Sequence, residues 1–368
     1  IRLATLNIKG YGNPDTHHPK NKWNHLNQVL RDDKIAILAV QESHMTPERV
    51  VNVEERFSSR MRIFMSAHPE APTAKGGVAL VLNKQLIDAA QASAQEVVPG
   101  RALLVRAKTY KDEWLNILAV YAPNIPAENG AFWDTVSSWF DDHDAPNPDI
   151  MLGDFNMVEE AADRLPAHED SPVATLAFND LKTKLHLCDG WRNTFPTDNT
   201  KFTYHQPNMT VKSRIDRIYM KRILVEMARD WVIKNSGIET DHEMVCVDVI
   251  TKSAPLIGPG RWSIPTYLIS DKPLVKYINE RGLEAEKELD QMNERTADKN
   301  PQTIWYKFKR DILDMAKKRQ SKTLPQIVKE MNVLETEIRK VHGDSMLTEE
   351  QHIQKTWLNG PINGRYDS

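Results

Sequence analysis

Polar side chains of a particular kind stand where apolar runs stop. Asn7 closes the opening run RLATL, Glu42 follows IAILAVQ, Tyr121 follows LNILAV, and Asp154 with Asn156 ends the segment IMLGDFN. Farther along, SRID supplies Asp216, and TDH supplies Asp241 and His242. Together they offer carboxylate oxygens, neutral amide and phenol donors, and one imidazole. That set suits metal-assisted attack of water on a phosphate ester. Glu42 and Asp241 are hard oxygen ligands of the type Mg²⁺ takes, with water keeping the remaining positions. The metal would neutralise charge on the phosphate oxygens while Asp154 orients or deprotonates the water. His242 would donate to a phosphate oxygen, with Asp216 keeping the imidazole cationic. Asn7, Asn156 and Tyr121 would position the phosphate without adding negative charge.

Taken singly, each residue has a plainer reading. GDFN is a competent turn after a strand, since Gly, Asp and Asn all favour turns. Asp216 has Arg214 and Arg217 beside it for a local ion pair, Glu42 is an ordinary loop charge, and Tyr121 suits a core with its hydroxyl satisfied. What independent turns and ion pairs do not supply is all of these residues, in this order, at the ends of successive apolar runs.

The runs themselves are short and bounded by polar or turn residues. Residues 35–40, 78–82, 115–120 and 150–152 read as buried strands, and 23–31, 132–140 and 176–185 read as helices at 3.6 spacing. Strands and helices mixed in one unit indicate a layered α/β domain over residues 1–250, in which strand ends gather a site on a rigid frame. Between 251 and 265 the text becomes TKSAPLIGPGRWSIP, whose prolines and glycines suppress regular structure and mark a linker. Residues 266–368 then read as helical, with helices over 272–292, 301–319 and 325–341. The last is expected to start at Pro325 with Thr323 as its N-cap. Its apolar steps of three and four fit either a short coiled-coil seam or a helix packing on its neighbours.

The chain has 368 residues, 27 % charged and 40 % hydrophobic, which is ample for a sizeable core and one or two domains. A net charge of −3 neither advertises nor excludes a nucleic-acid partner. No apolar run approaches membrane-spanning length, no secretory h-region opens the chain, and Cys188 and Cys246 form neither a disulfide framework nor a CxxC pair. An intracellular protein without a membrane partner is expected, nuclear or cytoplasmic before import. Starting at Ile1 and entering a strand almost at once, it reads as a piece of a longer polypeptide.

The segments TLNIKG (5–10), QESHM (41–45), VYAPN (120–124), GDFN (153–156), SRIDRIY (213–219) and TDHEMV (240–245) resemble the endonuclease/exonuclease/phosphatase superfamily of Mg²⁺-dependent phosphodiesterases. The resemblance covers roughly residues 1–250. It implies a two-sheet α/β sandwich with helices outside and a site at one edge of the sheets. Within the superfamily the text is most similar to the endonuclease domain of LINE-type (non-LTR) retrotransposon polyproteins. TLNIxG, VYAPN, the Asp163-Arg164 pair and the GPGRWSIP segment carry that likeness. It implies that Glu42 carries the metal, Mg²⁺ with Mn²⁺ as a substitute. It has Asp154 and Asn156 align water and phosphate, and Asp216 orient His242 against the scissile phosphate. Asn7, Tyr121, Thr203 and Asp241 complete the pocket, Thr240 stands where the family usually has Ser, and Arg214 joins Thr203 and Thr240 on the substrate side. Residues 205–212 (HQPNMTVK) correspond to a hairpin that helps choose the DNA target, although a plain hairpin loop reads nearly as well.

No YxDD-like polymerase motif occurs in the chain, so 266–368 is expected to be a connector ahead of an absent reverse transcriptase. Between 305 and 329 it holds eight basic residues against two acidic ones, with Trp305, Tyr306 and Phe308 at its start. That suits either contact with an RNA or DNA backbone or an ordinary solvated helix face. The function expected is nicking of double-stranded DNA to leave a 3′-hydroxyl for reverse transcription. Three other functions stay open: abasic-site repair, a phosphatase on the same fold, and a relic domain that binds without cutting.

Overall fold

The run at 35–40 is apolar at every position because both of its faces are covered. In the computed structural model the strand Ile35–Gln41 is buried throughout. Ile37 and Ala39 point into a core between two sheets, while Leu38 and Val40 pack under the helices Lys22–Asp32 and Pro47–Arg56. The strand Ile150–Asp154 repeats the pattern in the second sheet. Ile150 and Leu152 face the shared core, and Met151 faces the helices Pro126–Asp142 and Pro172–Lys184. Period-two alternation therefore sorts two kinds of apolar contact rather than apolar from polar. The structure is described for residues 1–109, 113–206, 210–250, 262, 264–265 and 268–343.

One sheet runs in spatial order Ala228–Lys234, Met244–Val249, Arg2–Asn7, Ile35–Gln41, Val78–Asn83, Met61–Ser66. The other runs Leu187–Asp189, Asp216–Lys221, Ile150–Asp154, Trp114–Tyr121, Ala102–Lys108, Asp88–Val98. A small third sheet joins Tyr204–His205, Lys212–Ser213 and Arg164–Leu165. This is the expected two-sheet α/β sandwich flanked by helices. Helices expected over 23–31, 132–140 and 176–185 fall within or across Lys22–Asp32, Pro126–Asp142 and Pro172–Lys184. The last two begin earlier than expected because Pro126 and Pro172 each occupy a first-turn position, where a missing N–H costs nothing.

The hairpin expected at 205–212 forms, with His205 opposite Lys212, and its tip at 207–209 lies outside the described residues.

By contacts the chain divides into Ile1–Ala254 and Pro255–Ser368. Of the expected linker 251–265, only 262, 264 and 265 are described, and everything beyond 343 lies outside. The second unit pairs the helix Lys272–Asp290 with a single long helix, Pro301–Gly343. The expected break before Pro325 is absent. Thr323 does not cap a new helix: its hydroxyl donates to the Arg319 carbonyl at 3.0 Å, one turn back. A proline removes one i→i−4 bond, and here the turns on either side continue past it. Leu268, Leu274 and Ala316 form the unit's small core, closed by ion pairs of Arg281 with Asp311 at 2.9 Å and of Arg319 with Asp271 at 2.7 Å.

Candidate active site

Register brings the strand-end residues together. In the second sheet Tyr121 lies opposite Asp154 in a parallel pair, and Asp154 lies opposite Asp216 in an antiparallel one. In the first sheet Asn7 is the last residue of its strand, paired with Gln41, and Glu42 is next. Glu42 and Asn156 each take a left-handed backbone, φ 49° in both, conformations that non-glycine residues rarely adopt outside functional or tightly determined turns. Gly153 has a different cause. A Cβ there would stand 1.9 Å from the Val120 carbonyl oxygen, so the close approach of the neighbouring strand requires glycine just before Asp154.

These residues open on a cleft of about 440 Å³ lined by, among others, Lys9, Glu42, Tyr121, Asp154, Asn156, Asp241 and His242. Asn7 is its keystone: the amide donates to Glu42 Oε1 at 3.0 Å and to Asp154 Oδ2 at 2.9 Å, while its Oδ1 accepts from the Lys9 backbone at 2.9 Å. The Tyr121 hydroxyl donates to the same Glu42 oxygen at 3.1 Å. Asp154 Oδ1 accepts from the Asn156 backbone at 2.9 Å, and the Asn156 amide is anchored on the Ala122 carbonyl at 2.8 Å. His242 Nδ1 lies 2.8 Å from Asp216 Oδ2.

The electrostatics follow from burial and from who faces whom. Burial first, and then the nearby Asp216 charge, push the Asp154 carboxyl up to about 7, against the opposing pull of His242. Burial works against the His242 cation, but the Asp216 carboxylate outweighs it and carries the imidazole up to about 9. At neutral pH the imidazole is thus a cation with both nitrogens donating: Nδ1–H to Asp216, and Nε2–H toward the cleft. Burial, reinforced by Glu42 and Asp154, raises the Tyr121 phenol, which stays a neutral donor.

Which residues suit a divalent cation can be judged from the donors. Glu42 Oε1 is fixed by Asn7 and Tyr121, whereas Oε2 has no hydrogen-bond partner among the described residues and belongs to a cleft-lining side chain. Asp241 Oδ2 pairs with Lys9 Nζ at 2.8 Å, and Oδ1 lies 4.0 Å from His242 Nε2. Glu42, Asp216 and Asp241 put carboxylates here, with Asp154 adding to them when it ionises, an acidic surrounding that suits a divalent cation. The donor atoms of Asp154, Asp216 and His242 also lie within 4.8 Å of one another. His242 Nδ1 and Asp216 Oδ2 are engaged with each other, whereas Glu42 and Asp241 line the cleft and carry hard oxygen donors of the kind a divalent cation takes.

Of the expected substrate-side residues, three stand elsewhere. Arg214 is buried, and its guanidinium donates to Asp163 at 2.8 and 2.9 Å and to Asp189 at 2.8 Å, so it holds the protein together and does not reach substrate. The local pairing of Asp216 with Arg214 or Arg217 is absent for the same reason. Thr203 is buried, and its hydroxyl accepts from the backbone of Ile215 at 3.0 Å and of Asp216 at 2.9 Å. Thr240 donates to the Asn7 carbonyl at 2.8 Å and accepts from the His242 backbone at 3.3 Å. Both threonines hold the backbone on which cleft residues are carried. Sequence reasoning missed Lys9, Tyr204 (ring 5.1 Å from that of His242), Arg164 and His168, all of which line the cleft. Lys9 was legible in TLNIKG two residues after Asn7, whereas the other three depend on the third sheet, whose two-residue strands leave no periodic signal.

A curated relative, the transposon TX1 uncharacterised 149 kDa protein of Xenopus laevis, is 27 % identical over 284 residues. The match takes in 76 % of this chain and 20 % of that protein, so the chain spans about a fifth of its length. The AP endonuclease LMAP of Leishmania major superposes with a TM-score of 0.54 at 14 % identity, over 67 % of this chain and 86 % of that one. The endonuclease domain of TRAS1, a telomere-specific non-LTR retrotransposon, gives 0.49 at 13 % identity, over 68 % and 99 %. The profile of the endonuclease/exonuclease/phosphatase family matches residues 4–242, which include every strand-end residue of the cleft, and the chain belongs to that family.

Proposed function

We propose that this chain is a Mg²⁺-dependent endonuclease that nicks double-stranded DNA as part of a retrotransposon polyprotein. The observation that carries the chemistry is one cleft holding a carboxyl raised toward neutrality, Asp154, opposite a cationic imidazole, His242. A base is most effective when its pKa lies near the working pH, which is where Asp154 lies. Asn7 and the Asn156 backbone each hold one Asp154 oxygen, fixing the carboxylate for the proton of an attacking water. The water oxygen bonds to phosphorus as the bond to the 3′-oxygen breaks, and that oxygen leaves as a 3′-hydroxyl after taking up a proton. His242 Nε2–H donates to a phosphate oxygen, and Asp216 holds the ring in place. Glu42 and Asp241 would hold the metal, which when bound supplies charge neutralisation on the phosphate.

The narrower assignment to duplex DNA and to a retrotransposon draws on the sequence resemblance and on the transposon relative. In that reading residues 1–250 are the nuclease domain, 251–265 a linker, and 266–368 a connector to a reverse transcriptase. A DNA target puts its work in the nucleus. None of the described helices is long and apolar enough to cross a membrane.

Relaxation of supercoiled plasmid on adding Mg²⁺, abolished by chelator, is the expected result. Plasmid that stays supercoiled across a range of Mg²⁺ and protein concentrations overturns the assignment. An oligonucleotide with one abasic site, if strongly preferred over intact duplex, replaces it with a repair function.

A further inference from the structure

Aromatic side chains on a helix ordinarily face a core, and two in the second unit do not. Within Pro301–Gly343, residues 305–310 read WYKFKR, and Trp305 and Tyr306 are 57 % and 65 % exposed. The helix seals its own unit with other residues: Ile304 and Ala316 are buried, and Phe308, Ile312 and Met315 are half-buried. Trp305 is propped by Phe308, the rings 5.3 Å apart and inclined by 23°, and Lys309 Nζ lies 5.6 Å from the Trp305 ring centre. The indole is therefore held out on the surface.

The charge along this helix is one-sided. Lys307, Lys309, Arg310, Lys317, Lys318, Lys322 and Lys329 are exposed on this helix. Arg319 is engaged by Asp271, and Asp311 by Arg281, which leaves Asp314 as the one exposed acid between 305 and 329.

We propose that this face binds single-stranded DNA. Exposed indole and phenol rings stack on unpaired bases, while flanking ammonium and guanidinium groups follow the phosphates. A duplex offers only its phosphates, since its bases are already stacked on each other, and would leave Trp305 and Tyr306 unused. Unpaired bases offer flat faces that match both exposed rings, whereas the negative charge of an acidic protein surface accounts for the cations alone. The choice of DNA over RNA rests on the nuclease reading, because a nick frees a DNA strand end, whereas the binding face itself stands on its own geometry.

The test is fluorescence anisotropy of a labelled 20-nucleotide DNA strand with the full chain, in EDTA so that nothing is cut. The single strand is expected to bind more tightly than a duplex of the same sequence. Trp305→Ala with Tyr306→Ala should weaken it by roughly tenfold or more, as loss of base stacking does. Lys307→Glu with Lys309→Glu and Arg310→Glu should lower the slope of log affinity against log salt by about 2, at ~0.7 per lost phosphate contact. Both variants should keep the wild-type helical circular dichroism. Unchanged strand affinity in both folded variants overturns the proposal, as does tighter binding of the duplex. Displacement by polyglutamate as effective as that by unlabelled strand makes the occupant an acidic peptide, and tenfold tighter binding of the matching RNA overturns the choice of DNA. Absence of nicking in the wild type, with strand binding intact, sinks the nuclease reading alone.

Discussion

The strand Asp216–Lys221 turns Asp216, Ile218 and Met220 toward the shared core and the cleft, and Arg217 and Tyr219 toward the outer helices. On the outer side, Asp163 faces Arg214, Arg217 and Arg192, Asp189 faces Arg214 and Arg217, and Glu159 accepts from Arg217 and Tyr219. On the cleft side, Asp154 faces Asp216 with one imidazole between them in charge. Burial raises both Asp154 and Asp163. At Asp163 the three guanidiniums reverse it and leave the carboxyl at about 2, whereas at Asp154 the second carboxylate reinforces it and leaves about 7. The same residue type, equally hidden from solvent, is fully ionised in one place and poised for proton transfer in the other. The count of opposite charges within reach decides which. One cluster stabilises the fold; the other is a destabilised site held in shape by the fold.

The sharpest way to break that contrast is Asp154→Asn. Plasmid nicking should fall by roughly 10²- to 10⁴-fold, the usual contribution of a positioned base. Stability should move the other way. A folded pKa raised from 3.8 to about 7 means that ionising Asp154 opposes folding, a cost that grows as pH rises through that window and is complete above it. In EDTA at pH 8 the Asn variant should therefore melt at a higher temperature than wild type. A difference in melting temperature that does not shift in favour of the variant as pH rises through that window contradicts the picture of a destabilised site.

Asp163→Asn should do the reverse. Removing the carboxylate leaves Arg214 and Arg217 buried with too few partners, a loss of about 3–5 kcal/mol in urea unfolding at pH 7, while the folded fraction keeps its nicking rate. The depressed pKa sets the pH window: stability from Asp163 is full above 3.8 and is lost as pH falls toward about 2. The gap between wild type and variant should therefore close over that range. A gap independent of pH assigns the effect to packing and not to charge.

The sequence showed one of these clusters and hid the other. Asn7, Glu42, Tyr121 and Asp154 are legible because each closes an apolar run, and Asp216 and His242 because each stands at or just before the start of one. β-Register does the rest, since a residue at a strand end has neighbours at adjacent strand ends. Arg214, Asp163 and Asp189 end no such pattern. Their pairings span 25 to 51 residues, through a three-residue 3₁₀ turn and a three-residue strand that have no periodicity to read. Arg214 therefore passed for a substrate contact because residues two apart on an extended chain share a face; it lies ahead of the strand Asp216–Lys221, where that alternation does not hold. The long helix through Pro325 was misread for a related reason. Proline states what one residue cannot donate, and not what the turns around it will do.

Thr203 tests whether a residue one step from the chemistry belongs to the stabilising side of the comparison or to the reactive one. Its hydroxyl is the acceptor for two consecutive backbone amides, those of Ile215 and Asp216. Thr203→Val keeps the shape and strands both N–H groups, at about 2–6 kcal/mol for the two together, from ~1–3 kcal/mol for each unsatisfied buried donor. The expected result is a loss of that size in urea, with a fall in kcat and little change in KM, since nothing that touches DNA is removed. A raised KM with normal stability would return Thr203 to the substrate side.

The smallest effect should come from Tyr121→Phe. The phenol donates one hydrogen bond to the Glu42 oxygen that Asn7 also holds. Without it Glu42 keeps one of two tethers, and a hydrogen bond of this kind contributes about 0.5–1.5 kcal/mol net. If Glu42 is the metal ligand, the variant should need roughly two- to tenfold more Mg²⁺ for half-maximal nicking, with the same rate at saturation. A lowered saturating rate at an unchanged Mg²⁺ midpoint would instead place the phenol against the phosphate. Tyr121 would then belong with Asp154 and His242 among the groups that meet the substrate, and not with those that hold the site in shape.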